Sequence, residues 1–211
     1  MTRPLKALVL SGGKGSRLRP LTYSGAKQLV PVANRPVLFH ALDDLIEAGV
    51  NDITIVVGDT ADQVRAAVDA EGFPARIRYV QQDAPLGIAH AVKIARSALG
   101  TAPFVLFLAD NFIREGVAAY VDSFRTGTQD ALVLLKEVDR PQDFGVAAFE
   151  GERLVRVVEK PKEPPSNLAI IGIYFFGPRV WEAIENIRPS ARGELEITDT
   201  IQWLIDHGAD V

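Results

Sequence analysis

The chain has no cysteine, one methionine and three histidines among its 211 residues. Without thiols it can form neither disulfides nor thiolate metal sites, a usage that fits the cytoplasm. No apolar run approaches the roughly 18 residues of a membrane span. The first strand pattern starts almost at the N-terminus and no signal-peptide pattern is visible, so a cytoplasmic protein without a membrane partner is expected. Positive charge is outnumbered: 23 Lys and Arg against 27 Asp and Glu leave a net charge of −4 and a pI near 5.4. That balance argues against a nucleic-acid partner. His40, His90 and His207 fall inside or at the ends of helical patterns and none stands in a motif. Histidine acid–base chemistry is therefore not expected. The remainder, 47% hydrophobic and 24% charged, is ordinary for a folded domain, and the length suits a single one.

The apolar pattern alternates between strand and helix. Residues 5–10, 53–57, 77–80 and 104–108 read as strands. Between them, 36–48, 60–70 and 88–99 carry apolar positions at helical spacing. The first helix has Asn34 near its start, Pro36 in its first turn and Gly49 past its end. The unbroken apolar run 104–108 reads as a strand covered on both faces. Alternation of this kind implies parallel pairing with right-handed crossovers. Ligands of such sheets sit beyond the carboxyl ends of the strands. A glycine-rich turn after strand one, Gln82 after strand three and Asp110 after strand four all land on that edge. Farther on, 131–138, 146–149, 154–158 and 169–176 read as strands, 178–186 and 194–207 as helices.

The turn after strand one is the densest signal. Residues 10–20 read Leu-Ser-Gly-Gly-Lys-Gly-Ser-Arg-Leu-Arg-Pro. Glycines let backbone N–H groups close around an anion, and Lys14, Arg17 and Arg19 add charge-assisted hydrogen bonds. The loop is built for a polyphosphate. The P-loop pattern fails because Gly15, not Ser or Thr, follows Lys14. The dinucleotide fingerprint fails because Leu18 stands where its third glycine belongs. Asp59 is placed like a ribose acid but does not mend that gap, so an NAD(P)-dependent oxidoreductase is the weaker alternative.

Residues 21–31 continue this stretch as Leu-Thr-Tyr-Ser-Gly-Ala-Lys-Gln-Leu-Val-Pro. The whole segment 10–31 resembles the signature of sugar-1-phosphate nucleotidyltransferases, and most closely that of the glucose-1-phosphate thymidylyltransferases. Residues 82–89 resemble their nucleobase segment, 108–111 their metal motif, 158–161 their sugar-phosphate motif and 191–199 a helix start. The resemblance implies an α/β, three-layer Rossmann-like fold with a mostly parallel central sheet and an added small β-rich sugar-binding part. It implies one domain, with a nucleotide-binding half at about 1–125 and a sugar-phosphate half at about 126–211. The reaction implied is transfer of a nucleotidyl group from dTTP, or UTP, to glucose 1-phosphate. A phosphate monoester is ionised near neutrality (second pKa about 6), so no protein base is required. The demand falls on cations, Mg²⁺ and positioning.

By the same resemblance, Arg17, Lys27, Asp110 and Lys160 are the candidate catalytic residues. Leu10, Ser11, Gly12, Gly13, Gly15, Ser16, Arg17, Gln82, Gly87 and Asp110 would hold the nucleotide, with Asp110 on Mg²⁺. Gly145, Glu159, Lys160, Ile170 and Arg192 would hold the sugar phosphate. A Gln82 amide, donor and acceptor together, suits the imide edge of thymine or uracil. Adjacent strand residues point to opposite faces, so Glu159 and Lys160 can share a ligand only if the strand ends there. Two departures stand out. Ala109 replaces the glycine usual before the Asp. The family's second metal-binding Asp lies in a Trp-x-Asp-Thr-Gly-like segment downstream, and the chain reaches Val211 before it. A truncated chain is therefore expected, with a non-catalytic sugar-nucleotide-binding relative as the alternative function. Homo-oligomers are expected from the relatives.

Overall fold

The computed structural model describes residues 4–12 and 26–211. The expected helix and strand alternation forms. Four strands, β1 (Lys6–Ser11), β4 (Asp52–Val57), β5 (Arg76–Gln81) and β6 (Phe104–Leu108), pair in parallel in the order β5-β4-β1-β6. The sheet then turns antiparallel. β10 (Leu168–Phe176) pairs with β6 through Ile173–Phe176, and with β7 (Ala131–Glu137) along its other edge. Near its start β10 meets β8 (Gly145–Glu150), which carries β9 (Arg153–Glu159).

Alternation within each strand builds the layers. In β1, Ala7 and Val9 join one cluster while Leu8 joins the other. In β6, Val105 and Phe107 separate from Phe104 and Leu106 in the same way. The first cluster packs under α1 (Val37–Glu47), α2 (Ala61–Glu71) and α5 (Ala118–Thr126) through Leu38, Leu42, Val64 and Phe124. The second packs under α3 (Ile88–Ile94), α6 (Val180–Asn186) and α7 (Ile197–Asp206) through Val92, Ile184, Ile201 and Leu204. A sheet covered on both faces needs apolar residues at successive positions, which is why its central strands read as unbroken runs.

Three local expectations are corrected. Asn34 does not start α1. With Ala33 it forms the left-handed two-residue turn (φ 63° and 50°) of a small hairpin, β2 (Pro31–Val32) on β3 (Arg35–Pro36). The helix expected over 88–99 is interrupted at Ala95, where hydrogen bonding tightens to the Val92 carbonyl three residues back, and resumes as the short α4 (Arg96–Leu99). The helix expected from 194 begins at Ile197. The Leu195 N–H donates to the Leu86 carbonyl at 2.8 Å and the Leu195 carbonyl accepts from Ala89 N–H at 3.1 Å. Backbone groups spent on another segment cannot also serve a helix.

A bulge in β10 fixes the loop after β6. Gly172 there has φ +75°, and a Cβ at that position would lie 2.2 Å from Asn111 Nδ2 and 2.8 Å from Leu108 Cδ1. Asn111 Nδ2 donates to the Ile171 carbonyl at 2.6 Å, so the residue beside Asp110 is pinned to the bulge. Gly72, which ends α2, has nearly the same φ of +71° but open space around it. Substituting alanine at Gly72 should cost about 1 kcal/mol, the left-handed penalty alone. At Gly172 the steric clash adds to that penalty and about 2–4 kcal/mol is expected. Urea unfolding of the two variants checks the order; equal losses would remove the argument for a close-approach glycine.

Candidate functional site

The carboxyl ends of the parallel strands open into a cleft of about 240 Å³. Leu10 and Gly12 come from the end of β1, Gln82 and Gly87 from the segment after β5, Asp110 from the loop after β6, and Lys27 from a short 3-10 turn, Lys27–Leu29. Ser11 closes β1 with its side chain buried. The neighbouring Gln28 is buried and donates from Nε2 to the Gly12 carbonyl at 2.9 Å, which ties this turn to the end of β1. The glycine-loop candidates Gly13, Gly15, Ser16 and Arg17, with Lys14 and Arg19, lie outside the described residues.

Lys27 and Asp110 face each other across the cleft, Nζ to Oδ2 at 2.5 Å. The Asp110 side chain is 46% exposed, so this pair adds little to stability. Its consequence is local: an ammonium and a carboxylate stand together in the cleft. Asp110, just after β6 and beside Lys27, is a carboxylate that suits a cation, and Glu194 lines the same cleft. Among the described residues no group of three or more His, Cys, Asp or Glu forms a metal site. One carboxylate completed by substrate phosphates and water is the donor set Mg²⁺ commonly takes. The residues fit that ion.

A second cleft, of about 190 Å³, adjoins the first and shares Ile88 and Glu194 with it. Gly145, Glu159, Lys160 and Arg192 line it, with Phe144, Glu196 and Thr198. β9 ends at Glu159 and Lys160 takes a left-handed φ of 41°, so consecutive residues face one cavity. The Glu159 carboxylate receives Arg192 Nη2 on Oε1 at 3.2 Å and Thr198 Oγ1 on Oε2 at 3.3 Å. Ile170 is buried beneath Gly145, with its Cδ1 3.6 Å from where a Gly145 Cβ would stand. Gly145 also has a packing reason of its own, since that Cβ would meet Thr198 Cγ2 at 2.6 Å. Tyr174 is buried against this cleft, and burial, then the Glu159 charge, raises its phenol above the ordinary value.

Sequence reasoning missed Glu196. It is 5% exposed and binds Arg192 Nη2 through both carboxylate oxygens at 2.8 Å, with Ser190 Oγ donating at 2.7 Å. Burial works to lower the Arg192 pKa, but the hydrogen bonds to Glu196 and the surrounding carboxylates outweigh it and hold the guanidinium above its usual value. Burial and the Glu196 charge likewise raise Asp199, in the first turn of α7. The signal for Glu196 in the sequence was a glutamate four residues after Arg192, spacing that also occurs on any solvated helix.

The chain belongs to the nucleotidyl transferase family, whose model matches residues 6–211. That membership sets aside the oxidoreductase alternative. The chain is 50% identical over 209 residues to a glucose-1-phosphate thymidylyltransferase of Streptomyces griseus, covering 98% of this chain and 59% of that protein. It is 51% identical over 210 residues to one of Streptomyces antibioticus, with the same coverage of 98% and 59%. The chain thus spans less than two thirds of these relatives. A crystal structure of a Bacillus anthracis protein assigned as a glucose-1-phosphate thymidylyltransferase, in complex with sucrose, superposes with a TM-score of 0.88 at 37% identity, over 97% of this chain and 84% of that one.

Removing Arg192 would leave the Glu196 carboxylate buried with Ser190 as its remaining side-chain donor among the described residues. Arg192→Ala should destabilise the fold by about 1–3 kcal/mol. Much of that loss should vanish when Glu196→Gln is already present. A double-mutant cycle by chemical denaturation should give a coupling of about 1 kcal/mol or more; additive effects would show the pair to be energetically idle.

Proposed function

We propose that this chain transfers a nucleotidyl group from dTTP to glucose 1-phosphate, giving dTDP-glucose and pyrophosphate, with UTP the competing donor. A sugar-phosphate oxygen attacks the α-phosphorus. The bond to the bridging oxygen breaks, and its electron pair leaves with pyrophosphate. The observation that carries this reading is the meeting of the two clefts. Lys27 and Asp110 stand in one, Glu159 and Lys160 in the other, and Ile88 and Glu194 belong to both.

In this reading Gln82 and Gly87 hold the base, and Gly12 lets the backbone approach the phosphates. Lys27 and Arg17 offset the charge of the triphosphate as the second anion arrives. Asp110 would hold Mg²⁺, which supplies charge neutralisation at the α-phosphate when bound. Glu159 accepts hydrogen bonds from sugar hydroxyls, Gly145 and Ile170 border the ring, and Lys160 holds the sugar phosphate. Arg192, tethered to Glu196, keeps Glu159 aimed into the cleft.

Pyrophosphate release with dTTP, glucose 1-phosphate and Mg²⁺ tests the proposal. Release should favour dTTP over UTP and stop when the metal is chelated. It should fall about a hundredfold or more in Asp110→Asn, the scale of losing a preorganised charge at the reacting group. Lys160→Ala should chiefly raise the KM for the sugar phosphate. Folded protein that binds dTTP without releasing pyrophosphate would mark a binding-only relative; protein that binds neither substrate would overturn the reading.

A further inference from the structure

The orientation of the Gln82 amide is set by its neighbours. The Gly87 carbonyl can only accept, so the amide nitrogen must face it, at 3.4 Å. The same nitrogen lies 3.1 Å from His90 Nδ1 in α3. An amide nitrogen donates and does not accept, so Nδ1 carries the lone pair and the ring proton sits on Nε2. Burial, then the Lys93 ammonium, lowers the His90 pKa below its usual value, so the ring is neutral near pH 7 and free to accept. With its N–H groups engaged on Gly87 and His90, the amide has Oε1 left to offer. That oxygen lies on the Gly12 side, 3.6 Å from where a Gly12 Cβ would stand. Gly12 and Gln82 both line the nucleotide cleft.

We propose that His90 is a positioning residue for base selection: by accepting from Gln82 Nε2 it presents Oε1 to the cleft, so that the site takes a pyrimidine with a proton on N3, thymine or uracil, and rejects cytosine. The inference rests on the nucleotide reading above. The N3–H of an imide donates to Oε1. The N3 of cytosine is an acceptor and would set its lone pair against that oxygen. Turning the amide would relieve the conflict at the base but set Oε1 against the Gly87 carbonyl and oblige the His90 ring to move its proton from Nε2 to Nδ1. The Gly87 carbonyl sets the sense of the amide, and the imidazole, as the Nε2–H tautomer, adds the shorter second acceptor that holds it there.

The test is a calorimetric titration of the full chain with dTTP and with dCTP in Mg²⁺, for the wild type, His90→Phe and His90→Asn. Asparagine carries an acceptor oxygen where Nδ1 stood; phenylalanine has none. The wild type should bind dTTP about tenfold or more tightly than dCTP. His90→Phe should shrink that ratio about fivefold or more, the scale of one lost hydrogen bond, while His90→Asn restores it. A His90→Phe protein as selective as the wild type, or a His90→Asn protein no better than His90→Phe, overturns the inference alone. Wild-type protein that binds neither nucleotide overturns the nucleotide reading and the inference with it.

Discussion

Two backbone hydrogen bonds hold the site together. Leu195 donates to Leu86 and accepts from Ala89, so a segment from the C-terminal part of the chain is laid across the loop that starts α3. The contact is possible only because Gly87 has no side chain. A Cβ there would lie 2.3 Å from the Leu195 carbonyl oxygen, and its φ of +103° is one that L residues avoid. Everything downstream follows from this crossing. It denies residues 194–196 to the helix, brings Glu194 to the boundary of the two clefts, and sets Arg192 and Glu196 over Glu159. A cleft at the end of a parallel sheet and a cleft at the end of an antiparallel hairpin become one surface through it.

Two ion pairs in this surface do different work. Lys27 with Asp110 is partly solvated, so water and salt screen it and either partner can be drawn to a ligand at small cost. Arg192 with Glu196 has one member out of water. Separating that pair leaves a desolvated carboxylate, a cost several times larger. The exposed pair therefore suits groups that exchange partners during a reaction. The buried pair suits a fixed strut. In the proposed reaction an acidic protein would meet anionic substrates at the first and brace a carboxylate for neutral hydroxyls at the second.

Much of the architecture was legible because it rests on short-range pattern. The apolar runs of β1, β4 and β6 announce strands covered on both faces, and the rule that ligands sit at their carboxyl ends puts Gln82 and Asp110 on one edge from the sequence alone. What was not legible depends on contacts distant in sequence. The start of α7 is decided by Leu86 and Ala89, about a hundred positions away. The bulge at Gly172 is decided by Leu108 and Asn111. The turn at Ala33–Asn34 was hidden because alanine is a poor left-handed residue, and Asn34 before Pro36 reads equally well as a helix start. Residues 111–130, left without an element in the sequence, hold α5, whose nine residues bury little besides Val121 and Phe124 and so give a faint periodic signal.

Gly87 and Gly145 show how far motif and packing can be separated. Both were read from the sequence as ligand contacts. Each also stands where another segment comes too close for a Cβ: Leu195 at the first, Thr198 at the second. The two requirements are one requirement seen from two sides. Each glycine lines its cleft while another segment packs too close for a Cβ to fit. Glycine at these positions therefore fixes the wall of the site before any ligand arrives. That is the preorganisation that the proposed reaction, between two anions and with no protein acid or base, would demand.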